Sequence, residues 1–129
     1  MKYLLDTHVF LWWILDDPRL SKTAREIISD AKTTIFFSVV SAWEIAIKAH
    51  LGRIKFTAKP LERFLQEQLQ ANDVQVLPVL LHHVFREHTL PLLHRDPFDR
   101  MLIAQTLEEH LTLITADAQI KAYNVPVVW

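Results

Sequence analysis

The chain has 129 residues, 50% hydrophobic and 22% charged, which suits one domain with a real core and argues against wholesale disorder. It has no cysteine and one glycine, Gly52, which excludes a disulfide framework, a thiolate zinc site, a thiol nucleophile and a glycine-rich phosphate loop. With 14 Lys+Arg against 15 Asp+Glu the formal charge is −1, so bulk charge does not mark a strongly basic nucleic-acid binder.

Taken in chain order, Lys2–Leu5 is a short apolar stretch ending at Asp6 and reads as a buried strand. Residues 8–15, His-Val-Phe-Leu-Trp-Trp-Ile-Leu, read as a helix that is apolar nearly all round and closes at Asp16-Asp17-Pro18. Ser21 caps a second helix through about Ala31. Thr33–Val39, β-branched and aromatic, reads as a strand. Ser41-Ala-Trp-Glu44 has the spacing of a capping box and predicts a helix to about Leu51, with Gly52 as its stop. Pro60 opens a helix to about Ala71, Val74–Leu77 is a strand, and residues 81–89 are helical. Asp96-Pro97-Phe98-Asp99 reads as cap, first-position proline and first-turn acid of a helix running to about His110. Leu111–Thr115 is a strand, Asp117–Tyr123 a short helix and Val125–Val128 a last strand. The alternation predicts an α/β fold, a three-layer α/β/α sandwich on a mostly parallel sheet of four or five strands, as a single domain over residues 1–129. The apolar run 8–15 is too short to span a bilayer and no export signal is apparent, so the expected setting is cytoplasmic with no membrane contact.

Five acids fall where such a sheet ends its strands: Asp6, Glu44, Asp96, Asp99 and Asp117. Each has a local explanation. Asp6, Asp96 and Asp117 can cap helices, Glu44 can complete the capping box with Ser41, and Asp99 suits the first turn of a helix. None of these explains why the acids share one edge. Two carboxylates 5 Å apart repel by roughly 3 kcal/mol at an effective dielectric of 20. A set of four needs protons, basic neighbours or metal ions. All-oxygen donors suit Mg²⁺ or Mn²⁺ rather than zinc.

The segments Leu4-Leu-Asp6-Thr7, Ser38-Val-Val-Ser41-Ala-Trp-Glu44-Ile, Arg95-Asp-Pro-Phe-Asp99-Arg-Met-Leu-Ile-Ala-Gln105 and Leu113-Ile-Thr115-Ala-Asp117, in that order, resemble PIN-domain ribonucleases. They are most like the VapC-type toxins of bacterial toxin–antitoxin pairs. The resemblance spans essentially the whole chain and implies a Mg²⁺- or Mn²⁺-dependent endoribonuclease that hydrolyses RNA phosphodiesters. By position it assigns Asp6, Glu44, Asp99 and Asp117 as the catalytic and metal-holding quartet, with Asp6 and Asp99 as the main ligands. Thr115 matches a hydroxyl that holds a carboxylate or water. Asp96 is a cap first and a ligand second. A cognate antitoxin and a homodimer are implied by the same route.

Arg100, Arg95 and His8 are candidate contacts to RNA phosphates, each with a structural alternative. His94 and the cations Lys48, Arg53 and Lys55 are further candidates along an RNA path. The trio His82, His83 and His88 lacks metal-pair spacing and is expected at the surface. Trp12 and Trp13 cannot both face the core from one helix, so part of that girdle is a candidate interaction surface. Two alternatives remain. One is a Mg²⁺-binding phosphoacceptor receiver domain, for which the Asp16-Asp17 pair lies a helix too late. The other is a PIN-like module that binds RNA or protein without catalysis, against which the complete quartet argues.

Overall fold

The computed structural model describes residues 1–55 and 59–129. Its centre is a five-stranded sheet of β1 (Lys2–Leu5), β2 (Thr34–Ser38), β3 (Gln75–Leu77), β4 (Thr112–Ile114) and β5 (Val127–Val128). The order across the sheet is β3-β2-β1-β4-β5 and every pairing is parallel. Successive side chains on a strand point to opposite faces, and the sequence fills both with apolar groups. Tyr3, Leu5, Ile35, Phe37 and Ile114 build one core, whereas Leu4, Phe36, Leu113 and Val127 belong to the other.

Helices cover both faces. The first core packs against α1 (Thr7–Ile14), α2 (Lys22–Ser29) and α4 (Leu61–Ala71). The second packs against α6 (Pro97–Glu108) and α7 (Ala118–Lys121). The long α3 (Val39–His50) serves both, sending Ile45 into the first core and Val40 into the second. Helix α5 (Leu81–Thr89) lies on α6. This is the expected three-layer α/β/α sandwich. Among the described residues no helix is long and apolar enough to cross a membrane.

One helix start differs from the sequence expectation. Helix α3 begins at Val39, two residues before Ser41, because Ser38 is its cap: Ser38 Oγ accepts the Val40 N–H and donates to Gln105 Oε1. Ser41 therefore lies in the first turn, where its Oγ accepts the Thr7 hydroxyl at 2.8 Å. Glu44 sits in the second turn with no capping-box role. The spacing was right for a box, but the serine at the strand end reached the free N–H groups first.

Helix ends show a second pattern. Gly52, at φ 74°, closes α3 as expected, with Arg53 N–H on Lys48 O and Gly52 N–H on Ala49 O. Asp16 and Asp73 close α1 and α4 by the same pair of bonds, and His110 closes α6 with Leu111 N–H on Thr106 O, at φ of 50°, 52° and 56°. A side chain in this left-handed conformation costs about 1–2 kcal/mol that glycine avoids, less glycine's own entropy cost. His110 is exposed. His110→Gly is expected to stabilise the protein by about 0.5–1 kcal/mol, read as a raised urea midpoint with an unchanged slope.

Candidate functional site

Strand order reverses direction beside β1: the chain builds outward through β2 and β3, then returns to place β4 on β1's other side. Such a switch point leaves a crevice at the strands' carboxyl ends. Asp6 leaves β1 there, its N–H bonded to Ile114 O. Thr115 and Asp117 leave β4, Glu44 descends from the second turn of α3, and Asp99 stands in the first turn of α6. The sheet thus brings all four predicted acids to one edge.

Asp6, Glu44 and Asp99 are each held through one oxygen, and Asp117 through both. Asp6 Oδ2 accepts the Thr115 hydroxyl at 2.8 Å, and Thr115 Oγ1 in turn accepts the Asp117 N–H. Glu44 Oε2 pairs with Lys48 Nζ at 2.8 Å. His94 Nε2 lies 2.9 Å from Asp99 Oδ2 and 3.3 Å from Asp117 Oδ2. Asp117 Oδ1 caps α7 through the Gln119 N–H. Asp96 caps α6, its Oδ1 accepting the Phe98 and Asp99 N–H groups.

What remains is informative. Asp6 Oδ1 and Glu44 Oε1 are buried and have no hydrogen-bond partner among the described residues. Asp6 is the residue preceding α1, yet its side chain caps nothing. A buried carboxylate oxygen left unpaired is costly. These two oxygens belong to acids that lie close enough for the charge of Glu44 to raise the pKa of Asp6. The donors are oxygens, so the set fits a hard divalent ion.

Electrostatics agree. Burial, together with the charges of Asp6, Asp96, Glu44 and Asp117, pushes the Asp99 carboxyl up to about 8. The N-terminus of α6 favours a carboxylate by about 0.3–1 kcal/mol, too little to offset the burial and the like charges around Asp99. Burial raises Asp6 as well, the Thr115 hydroxyl and His8 oppose the rise, and Glu44 and Asp117 add to it.

A sequence model of the PIN domain matches residues 3–126. The chain belongs to the PIN-domain family. It is 29% identical to Ribonuclease VapC22 of Mycobacterium tuberculosis (strain ATCC 25618 / H37Rv), over 98% of this chain and 97% of that one. Its fold is similar to that of VapBC2 from Rickettsia felis, solved bound to a DNA fragment from their promoter: TM-score 0.74, 18% identity, 99% of this chain and 98% of that one. It is also similar to FitAcB from Neisseria gonorrhoeae, with TM-score 0.62, 18% identity and coverage of 98% and 96%.

The other candidate residues of this PIN domain divide sharply. His8 is exposed and lines three cavities; one of about 330 Å³ is floored by Asp6 and Asp117, and one of about 350 Å³ reaches Glu44, Lys48 and Arg53. Lys48, Arg53 and Lys55 also line a neighbouring cavity of about 460 Å³. Arg95 is exposed. Arg100 is not a phosphate contact. It is buried, and all five of its N–H groups are used: on Glu87 Oε1 and O, Leu90 O, Pro91 O and Tyr123 Oη. A guanidinium so bound anchors the loop before α6 and has no donor left for RNA.

His83 also departs from expectation. It is fully buried, not at the surface, with Nδ1 accepting the Leu80 N–H and Nε2 on Glu109. The Trp12–Trp13 girdle packs inward: both rings join the first core, and Trp12 meets Trp129 at 5.7 Å. The exposed apolar side chains lie instead on α3, with Trp43 61% exposed, and on α5, with Phe85 62% exposed. The receiver alternative fails on topology, since receivers order their strands 2-1-3-4-5. Asp16 and Asp17 are moreover paired with Arg25 and Arg19 respectively.

Because the folded state raises the Asp99 pKa from 3.8 to about 8, the metal-free fold binds a proton that the unfolded chain has already lost between those values. This contribution is full below about pH 4 and is lost as pH rises through about 8. Denaturation in EDTA is therefore expected to show stability falling between pH 5 and pH 9, and Asp99→Asn is expected to flatten that slope. An unchanged slope in the variant would remove Asp99 as its source.

Proposed function

We propose that this protein is a divalent-metal-dependent endoribonuclease and the toxin of a toxin–antitoxin pair. The carrying observation is the pair of unpartnered buried oxygens, Asp6 Oδ1 and Glu44 Oε1, inside a pocket of acids at the sheet's switch point. The 29%-identical relative, which bears the name ribonuclease over nearly the same length, supports the substrate class. Solved neighbours of the same fold that are VapBC complexes support a cognate antitoxin as partner.

Asp6, Glu44 and Asp99 would hold Mg²⁺ or Mn²⁺ directly, since each keeps an oxygen free of hydrogen bonds among the described residues. Asp117 has both oxygens engaged and would act through water or through orientation. Asp96 spends Oδ1 on the α6 N-terminus and adds negative charge beside Asp99. The ion, when bound, supplies an activated water and offsets charge on the scissile phosphate.

The chain's own residues do the rest. Thr115 fixes the rotamer of Asp6, and Lys48 fixes that of Glu44. His8, Arg53, Lys55 and Arg95 offer exposed or cavity-lining cations and a ring to the RNA backbone, where phosphate contacts position the strand without reading its sequence. Once four of the 15 acids are assigned to the pocket, the remaining surface is mildly basic. A second copy of the chain is the other expected partner. Val39, Trp43, Ile47 and Leu51, one exposed stripe of α3, give it apolar surface to cover.

Purified Asp6→Asn and Asp99→Asn proteins are expected to lose metal-dependent RNA cleavage by at least about 100-fold, since such an ion supplies several kcal/mol to the transition state. Both should stay folded. The amide carbonyl at position 6 still accepts the Thr115 hydroxyl, and neutralising position 99 relieves repulsion. Undiminished cleavage by either variant defeats the assignment. Arg53→Ala is expected to weaken RNA binding and reduce its salt slope by about 1, measured by titration at several ionic strengths.

A further inference from the structure

The loop between α5 and α6 has little regular structure, yet it delivers one side chain with tight constraints. Tyr123 Oη accepts the N–H groups of Leu93 and His94 and a proton of Arg100, and donates to Pro91 O. Arg100 grips the same loop at Leu90 O and Pro91 O. The buried arginine and tyrosine thus fix the backbone at residue 94. His94 itself is buried.

Its ring is fixed in turn. The Asp96 backbone N–H points at His94 Nδ1 across 3.2 Å. A backbone N–H can only donate, so Nδ1 is the unprotonated nitrogen and the proton sits on Nε2. Nε2 hydrogen-bonds Asp117 Oδ2 at 3.3 Å and lies 2.9 Å from Asp99 Oδ2 as an ion-pair contact. The two acids belong to different elements, the first turn of α6 and the cap of α7. Among the described residues His94 is the one side chain with a polar contact to both.

We propose that His94 is a positioning residue of the metal site: its ring, hydrogen-bonded to Asp117 and in contact with Asp99 Oδ2, holds the two acids together and so sets which Asp99 oxygen is turned toward the cation. The inference rests on the metal-dependent reading above and adds a residue outside the acidic quartet. It also excludes His94 as a direct ligand. Ligation through Nε2 would move the ring proton to Nδ1, against the Asp96 N–H. Outer groups that orient ligands in this way typically change metal affinity by about 10–100-fold when removed.

Two substitutions separate the parts of the ring. His94→Asn keeps an acceptor where Nδ1 stands and loses the distal donor. His94→Gln can present an amide N–H near the Nε2 position. Mn²⁺ affinity is measured for both by electron paramagnetic resonance titration, with the urea midpoint in EDTA as the fold control. His94→Asn is expected to bind Mn²⁺ about 10-fold or more weakly, and to lose kcat more than it raises KM for RNA. His94→Gln is expected to recover much of the affinity. Pulsed resonance on the Mn²⁺-loaded wild type should show no directly bound imidazole nitrogen. Wild-type affinity in His94→Asn overturns the role. Failure of His94→Gln to recover affinity, or a directly coordinated nitrogen, overturns it as well. Wild-type protein that takes up no Mn²⁺ removes the metal reading itself, and the role of His94 falls with it.

Discussion

Mutual repulsion among buried carboxylates is the constraint to which the rest of this molecule answers. Asp6, Glu44 and Asp99 are each less than a tenth exposed, and Asp117 adjoins Asp99. At an effective dielectric of 20 each close pair opposes folding by roughly 3 kcal/mol. The fold contains this by holding the acids through their neighbours. A hydroxyl bonds Asp6, an ammonium pairs with Glu44, and an imidazole bonds Asp117 and lies against Asp99. These contacts stop short of neutralising the pocket, and Asp99 is left with a pKa near 8. What destabilises the empty fold is what would draw in a cation, a trade between stability and activity common in functional sites.

The parallel sheet is what makes the cluster possible. Strands that all run one way put their carboxyl ends on one edge, and the intervening helices return their N-termini to it. Strand ends therefore supply Asp6 and Asp117, and helix starts supply Glu44 and Asp99. A buried polar chain braces the same edge from below: Thr7 to Ser41, then Ser38 to Gln105, with the Gln105 amide on Pro78 O. These bonds lock α1 to α3 and α3 to α6, the helices that carry three of the acids. Each buried partner is satisfied, so the network adds rigidity where an unmatched group would cost stability.

Much of this was legible in the chain. The order of strands and helices, the Asp96–Pro97 helix start and the Gly52 stop followed from local chemistry, because each depends on residues a few positions apart. The errors share a cause. Ser41 was read as the cap of α3 because its spacing to Glu44 fits, but Ser38 lies at the strand end and takes the role. Arg100 beside Asp99 looked like a phosphate contact. Helical geometry turns it elsewhere, into five bonds with the α5–α6 loop and Tyr123. His83 was placed at the surface, yet Leu80, Gln105 and Glu109 give its ring partners in the interior. His94 was weighed as an RNA contact, and no local signal could have set its ring between two acids.

The sequence by itself determined the alternation of elements, the two-faced apolar strands and the acids placed at their ends, since periodicity and capping are local properties of the chain. Tertiary structure alone decided which atoms of those acids stay free. Thr115 reaches Asp6 across 109 positions of sequence, and His94 reaches Asp117 across 23. Contacts of that range exist only once the sheet has formed, and they separate a set of helix caps from a cluster of acids with oxygens left free.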